Sequence, residues 1–486
     1  MFTTLEYAGL MTVAAVSVWG LRNRPTFRTL VLIALSSFFF VRANMGHPLI
    51  VQSPEKFSAF DALVTCVGLL FCSSLLDFVV AFKIGETTEE EHNTRRALLA
   101  VSVTTNLLVL CFFKYFNFFS SSISSLFGIQ APHLDIFCPI GISFYTFQTV
   151  SYVTDVYRKK TAPVERYTDY LLFLAFFPKL LMGPLVRAND LVSKLAAPPV
   201  LTAENGSRAL FRIGIGVVKK FAIAEFLRLH AVDPVFSNPG MYSSLEILFA
   251  SYAYAFQIYA DFSAYTDIAV GSAALLGIEI PENFNAPYIS KSLREFWRRW
   301  HITLSSWLRD YLYIPLGGSR RPLFFVCLNL MITMMLGGLW HGASLNFLVW
   351  GFIHGAALVA THLLAGRRFI ALIPERGRNL LGLFLTFHIV TAAWIFFRAP
   401  TFKCASEIFN GMAAMQFGTA NISPSALLVL FIAALSHAAP RRWFEAAAQG
   451  FHRLPSFAQA ALFVTIIWGA NKAAAVQVSP FIYSQF

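Results

Sequence analysis

His301 and His341 are the residues of this chain best suited to move a proton, the first inside WRRWHITLSSWLRDYLYIPLGGSR and the second inside MLGGLWHGASLNF. An unperturbed imidazole titrates near pH ~6.5, which makes histidine the usual general base for activating a hydroxyl. Around His301, residues 283–320 gather Arg294, Arg298 and Arg309 with Trp297, Trp300 and Trp307 in a sequence that is otherwise overwhelmingly apolar. Guanidinium groups suit phosphates, such as those of a nucleotide-bearing thioester donor. Ionisable side chains near a bilayer are costly to hold and mark a substrate path or a reactive site.

The elements that carry these residues follow from spacing. If residues 294–311 form one helix, Trp297, Trp300, Leu304, Trp307 and Tyr311 share a face, and Arg294, Arg298, His301, Ser305 and Arg309 line the opposite one. The pattern predicts an amphipathic helix at the cytoplasmic surface, its indoles at the headgroup boundary and its cations toward water or an anionic ligand. A helix that merely anchors the protein to anionic lipid has the same pattern. The flanks NFNAPY and YIPLGGSR put Pro and Gly where helices break, so 283–320 is expected to be an amphipathic or re-entrant element lining a cavity.

Gly337, Gly338 and Gly342 flank His341 and predict a helix end, break or tight turn there. Counting from the basic residues at 319–321, roughly 20 residues at about 1.5 Å each carry the chain most of the way across a bilayer. His341 is therefore expected deeper than His301, in a helical hairpin over 322–364. A buried histidine that only hydrogen-bonds between helices is the competing reading, and His354 and His362 also stand in apolar sequence.

With 56% hydrophobic and 13% charged residues, and 50 Phe among 486, the chain reads as a membrane protein; soluble proteins average about 25% charged. Apolar stretches recur at 60–82, 98–116, 170–186, 244–260, 323–340, 345–364, 380–397 and 456–470. They imply about 11 spans, and without strand alternation the class is all-α polytopic rather than a barrel. A net charge of +12 raises the question of nucleic acid. The basic residues fall instead in connectors at 22–28, 158–166, 291–321 and 367–378, while 42–57 holds one Arg and one Lys. The positive-inside rule then makes the first group cytoplasmic and the N-terminus extracytoplasmic, with no nucleic-acid partner. The first apolar run lacks a basic n-region and a clear cleavage site, and reads as a retained span.

Six scattered cysteines without metal-like spacing read as packing residues. HExxH, Walker and GxGxxG motifs are missing, so no metal and no bound cofactor is expected. Within YADFSAYTDIA, Asp261 with Tyr265 and Ser263 with Asp267 are four apart and can pair across a turn, either to orient a histidine or to link helices. Lys179 in FFPKLLMGP and Asp310 beside the tryptophans are equally ambiguous.

Together WRRWHITLSSWLRDYLYIPLGGSR, GGLWHGAS, PIGISFYTFQ (139–148), FFPKLLMGPLVR (176–187), YADFSAYTDIA (259–269) and IFFRAPTFKCASEIFNGM (395–412) resemble the membrane-bound O-acyltransferase family. The likeness is to its bacterial branch, which holds the membrane subunit of alginate O-acetylation and the D-alanyl transferase of teichoic acids. It extends from about residue 110 to 412, within a single membrane domain spanning 1–486. The resemblance implies a ring of tilted helices around a thin central layer, with two funnels meeting near the histidines. It puts the essential histidine on His341 and the second on His301. Substrate binding is expected at Arg294, Arg298, Arg309 and Trp340. It further implies a bacterial inner-membrane enzyme whose donor, acetyl-CoA or an acylated carrier protein, enters from the cytoplasm. The acceptor hydroxyl comes from the other side, through a serine-hydrolase-like extracytoplasmic partner and the polysaccharide machinery. The FFRAP region favours the alginate-type subgroup over the D-alanyl one. A transporter or channel for a small polar solute would also use intramembrane Asp and His; the missing repeat and the tryptophan–arginine segment weigh against it. Both histidines weigh against a non-catalytic scaffold.

Overall fold

The computed structural model describes residues 5–46, 50–51, 58–364 and 373–474, so the basic connector at 367–378 lies partly outside the described residues. Among the described residues the secondary structure is helical, with no strand. Among the described residues six helices are long and apolar enough to cross a membrane: Pro25–Asn44, Phe60–Glu86, His92–Phe127, Leu323–His341, Leu345–Leu364 and Glu375–Arg398. Pro424–Ala438 with Arg441–Arg453, bent by 96°, makes a seventh if the pair is one broken span. The protein is thus a multi-pass membrane protein. The stretch 170–186 is not one span. It breaks at Phe176 into Tyr167–Ala175 and Phe177–Leu180, because Pro178 lacks the N–H that would continue the first helix and instead opens the second.

Two compact units divide the chain, Met1–Leu210 with Ile268–Pro281, and Phe211–Asp267 with Glu282–Phe486. In the first, helix Ile142–Tyr157 is buried almost all round despite Ser143, Thr146, Gln148, Thr149 and Ser151. Polar groups cost little inside apolar surroundings when they find partners. Asp77 shows this, accepting from Ser102 Oγ (2.5 Å) and Asn106 Nδ2 (2.9 Å). Arg28, counted above among the cytoplasmic charges, is buried and donates to the carbonyls of Leu195, Ala196 and Ala197 at 2.8–3.1 Å, satisfying the open end of helix Ala188–Ala196. Lys179 is fully buried against Gln148 Oε1 and over the Phe173 ring at 4.7 Å. It belongs to the packing of this unit.

The second unit holds every candidate site residue. Its helices Leu323–His341 and Leu345–Leu364 are joined by 342–344 and pack tightly on one another. Glycine makes the close approach possible. A Cβ on Gly338 would lie 2.2 Å from the Phe347 carbonyl oxygen, and one on Gly351 2.5 Å from that of Met334. Small residues at such crossings let backbones meet where lipid supplies no hydrophobic driving force. Glu375–Arg398 packs against Leu345–Leu364.

Candidate active site

The segment around His301 is not the continuous amphipathic helix that its spacing predicts. Helix Leu293–Arg299 stops at Trp300, and His301 takes left-handed backbone angles (φ 41°, ψ 55°) before a new helix, Ile302–Leu308, begins. A wide π turn follows at Arg309–Tyr313. Side-chain periodicity carries no information about this break, since both pieces remain helical. The break turns His301 out of the arginine stripe: it is fully buried, whereas Arg294, Arg298 and Arg309 are exposed. Arg309 pairs with Asp310, and Arg294 approaches His362 Nδ1 at 3.4 Å. The indole face is also turned inward. Trp300 is buried among Phe284, Phe296 and Trp394, at ring separations of 4.9–5.7 Å, rather than lying at a headgroup boundary.

What fixes the break is Asn283. Its backbone carbonyl accepts from Ile302 N (2.9 Å), and Asn285 N donates back to the Arg299 carbonyl (2.9 Å), so 283–285 runs as a brace along 299–302. Asn283 Oδ1 meets three groups: Thr303 N (3.2 Å), Thr303 Oγ1 (2.9 Å) and His301 Nδ1 (3.1 Å). Because an amide N–H of Thr303 can only donate, the Asn283 atom facing it must be the oxygen, and His301 Nδ1 therefore carries the proton. In the neutral imidazole Nε2 is then the lone-pair acceptor. Phe262 adds an edge contact to His301 at 4.8 Å from helix Ser244–Leu275. Asn283 was missed in the sequence reading, although it stands in the quoted NFNAPY.

His341 is the last residue of its helix, and Gly342 follows in extended conformation (φ −175°), as the glycines around it predict. The imidazole is 4% exposed and is packed by Trp340, Trp350 and Phe397 at 4.9–5.1 Å and by Phe347 at 6.4 Å. Phe397 comes from the FFRAP motif, which explains why that motif belongs with the site. Trp340 joins the two histidines: its ring lies 6.2 Å from His301 and 4.9 Å from His341.

Behind the histidines runs a line of alternating charges. Lys220, buried, donates to Asp261 Oδ1 and Glu225 Oε1, both at 2.7 Å. Arg228 bridges Glu225 (2.8 Å) to Asp233 (2.5 Å), and Arg398, next to Phe397, closes the line on Asp233 at 2.7 Å. Asp267 accepts from Arg212 (3.0 Å) and Lys219 (2.7 Å). The carboxylates of YADFSAYTDIA thus have cationic partners on the π turn Lys219–Glu225 and the helix before it. Two lysines at 219–220 inside an apolar run were the available signal, since a charge in such a run needs a partner. Among the described residues no group of His, Cys, Asp and Glu is placed to hold a metal.

One imidazole buried among aromatic rings and a second of fixed tautomer thus both touch the Trp340 indole. The membrane-bound O-acyltransferase family matches residues 97–397 of this chain. The chain belongs to that family and is an acyltransferase. Among its relatives, a probable alginate O-acetylase of Pseudomonas aeruginosa is 40% identical over 362 residues, 73% of this chain and 67% of that protein. A peptidoglycan O-acetyltransferase of Helicobacter pylori is 32% identical over 428 residues, 81% and 80% of the two chains. A teichoic acid D-alanyltransferase of Bacillus subtilis is more distant, at 28% over 289 residues, 56% and 71%.

Proposed function

We propose that this enzyme moves an acetyl group from a cytoplasmic thioester, acetyl-CoA or an acylated carrier protein, to a hydroxyl on the extracytoplasmic side of the bacterial inner membrane, for O-acetylation of an exopolysaccharide. Acetyl is favoured because the names of the alginate and peptidoglycan relatives share it, while the D-alanyl relative is the less similar. The observation that carries the reading is the pair of buried imidazoles that both touch Trp340. In this reading about 11 spans surround a two-funnel pore, the N-terminus is extracytoplasmic, and a serine-hydrolase-like partner receives the acetyl group for the polymer.

His341 takes the proton of the acceptor hydroxyl as its oxygen attacks the thioester carbonyl. The new C–O bond forms, the C–S bond breaks, and the proton passes to the departing thiolate. General-base catalysis of this kind contributes about 10²- to 10⁴-fold, and alignment of the two substrates adds to it. His301, held by Asn283 with Nε2 as acceptor, assists on the donor side. Arg294, Arg298 and Arg309, exposed as they are, meet the donor's phosphates at the entrance rather than at the reacting carbonyl. Trp340 separates the two imidazoles and lines the meeting point.

Incubating the purified protein with labelled acetyl thioester and a hydroxyl acceptor tests this. Thiol release with label on the acceptor is expected. Solute flux across vesicles without thiol release would replace the enzyme by a carrier.

A further inference from the structure

Helix Leu345–Leu364 presents Asn346, Trp350 and His354 four residues apart, on one stripe. All three are buried, and Asn346 Oδ1, Trp350 Nε1 and both ring nitrogens of His354 have no hydrogen-bond partner among the described residues. Trp297 Nε1, from the neighbouring helix Leu293–Arg299, is in the same state. The three rings touch pairwise: Trp297 to His354 at 5.1 Å, Trp350 to His354 at 4.6 Å, and Trp297 to Trp350 at 5.7 Å. More than nine in ten buried polar groups are satisfied in native proteins, so four orphan ring nitrogens in one cluster point to a partner that enters.

Its chemistry can be read from the donors. Two indoles give two N–H groups, and a neutral imidazole gives one N–H and one lone pair. A secondary amide meets three of these four, its oxygen accepting from both indoles and its N–H donating to the imidazole lone pair. The cluster lies between two other features of the same helix. Trp350 touches His341 at 5.0 Å. Two turns past His354, His362 meets the exposed Arg294. From His362 to Trp350 the helix rises about 18 Å, with a cation at one end and the His341 imidazole at the other.

We propose that Trp297, Trp350 and His354 receive an amide of the donor's pantetheine arm, so that the thioester beyond it is presented to His341. The inference rests on the acyl-transfer reading above, and it holds for both donor classes, since coenzyme A and carrier proteins share the arm. The three are positioning residues.

The test compares two small donors on the purified full-length protein: S-acetyl-N-acetylcysteamine, which carries one amide, and S-acetyl ethanethiol, which carries none. Thiol release is read as kcat/KM. Wild type is expected to prefer the amide-bearing donor about tenfold, the value of roughly one buried hydrogen bond. His354→Phe and Trp297→Phe are expected to bring the ratio toward one, while activity with the amide-free donor stays. Trp297 is only half-buried, so its variant serves if His354→Phe does not insert. An unchanged preference in folded variants, or no preference in wild type, overturns the assignment. Absence of thiol release from both donors and from acetyl-CoA in wild type would remove the enzyme reading itself, a distinct outcome.

Discussion

His301 and His341 both touch the Trp340 indole but are held in unlike ways. His301 sits on a left-handed residue, braced by the chain at 283–285 and hydrogen-bonded through Nδ1 to an oxygen that also serves Thr303. His341 ends a helix and is packed by the rings of Trp340, Phe347, Trp350 and Phe397. A hydrogen bond fixes tautomer and ring plane together, and ring edges hold a ring plane by packing. The first suits a group that must present one particular nitrogen.

The contrast can be broken most strongly at the bases themselves. His341→Gln, in a protein that still folds and inserts, is expected to lower the acetyl content of secreted polysaccharide to background. His301→Gln is expected to leave a measurable fraction. Equal loss in both would merge the two roles.

Asn283→Ala acts on one side only. It leaves the Thr303 amide and the His301 Nδ1 proton buried without their acceptor, at about 1–3 kcal/mol for an unsatisfied group. Thermal unfolding in detergent should show that loss, and activity should fall toward that of His301→Gln. Activity at the wild-type level would mean that the tautomer of His301 is immaterial.

Phe397→Leu acts on the other side, keeping apolar bulk while removing a ring edge from His341. Aromatic contacts are worth about 0.5–1.5 kcal/mol beyond their area. A loss of up to about tenfold in transfer rate is expected, with donor KM little changed. A raised donor KM at constant kcat would instead make Phe397 part of the donor path.

Arg309→Gln touches neither imidazole. Its pair with Asp310 is exposed, and such pairs contribute about 0–1 kcal/mol, so the unfolding temperature should barely move. Any effect should be confined to the donor concentration needed for half-maximal rate, and should weaken at high salt.

The sequence motifs led directly to both histidines, to Trp340 and to the FFRAP segment, because these are long strings of unusual residues in an apolar chain. Helix existence was legible in the same way from apolar runs. The break at His301 was not. Residues 294–311 keep helical spacing on both sides of it, and the cause lies in Asn283, 18 residues earlier. The partners of Asp261 and Asp267 were equally hidden, since a local reading pairs residues within a turn while Lys219 and Lys220 stand more than 40 residues away. The stretch 170–186 shows the opposite error, an apolar composition that Pro178 prevents from being one helix.

The central claim is that the His341 imidazole takes the acceptor's proton. Its most direct test is steady-state acyl transfer from labelled acetyl thioester by purified, folded His341→Gln protein, with kcat and donor KM separated. The account predicts that kcat and kcat/KM fall together by about 10²- to 10⁴-fold. Transfer at the wild-type rate would contradict it.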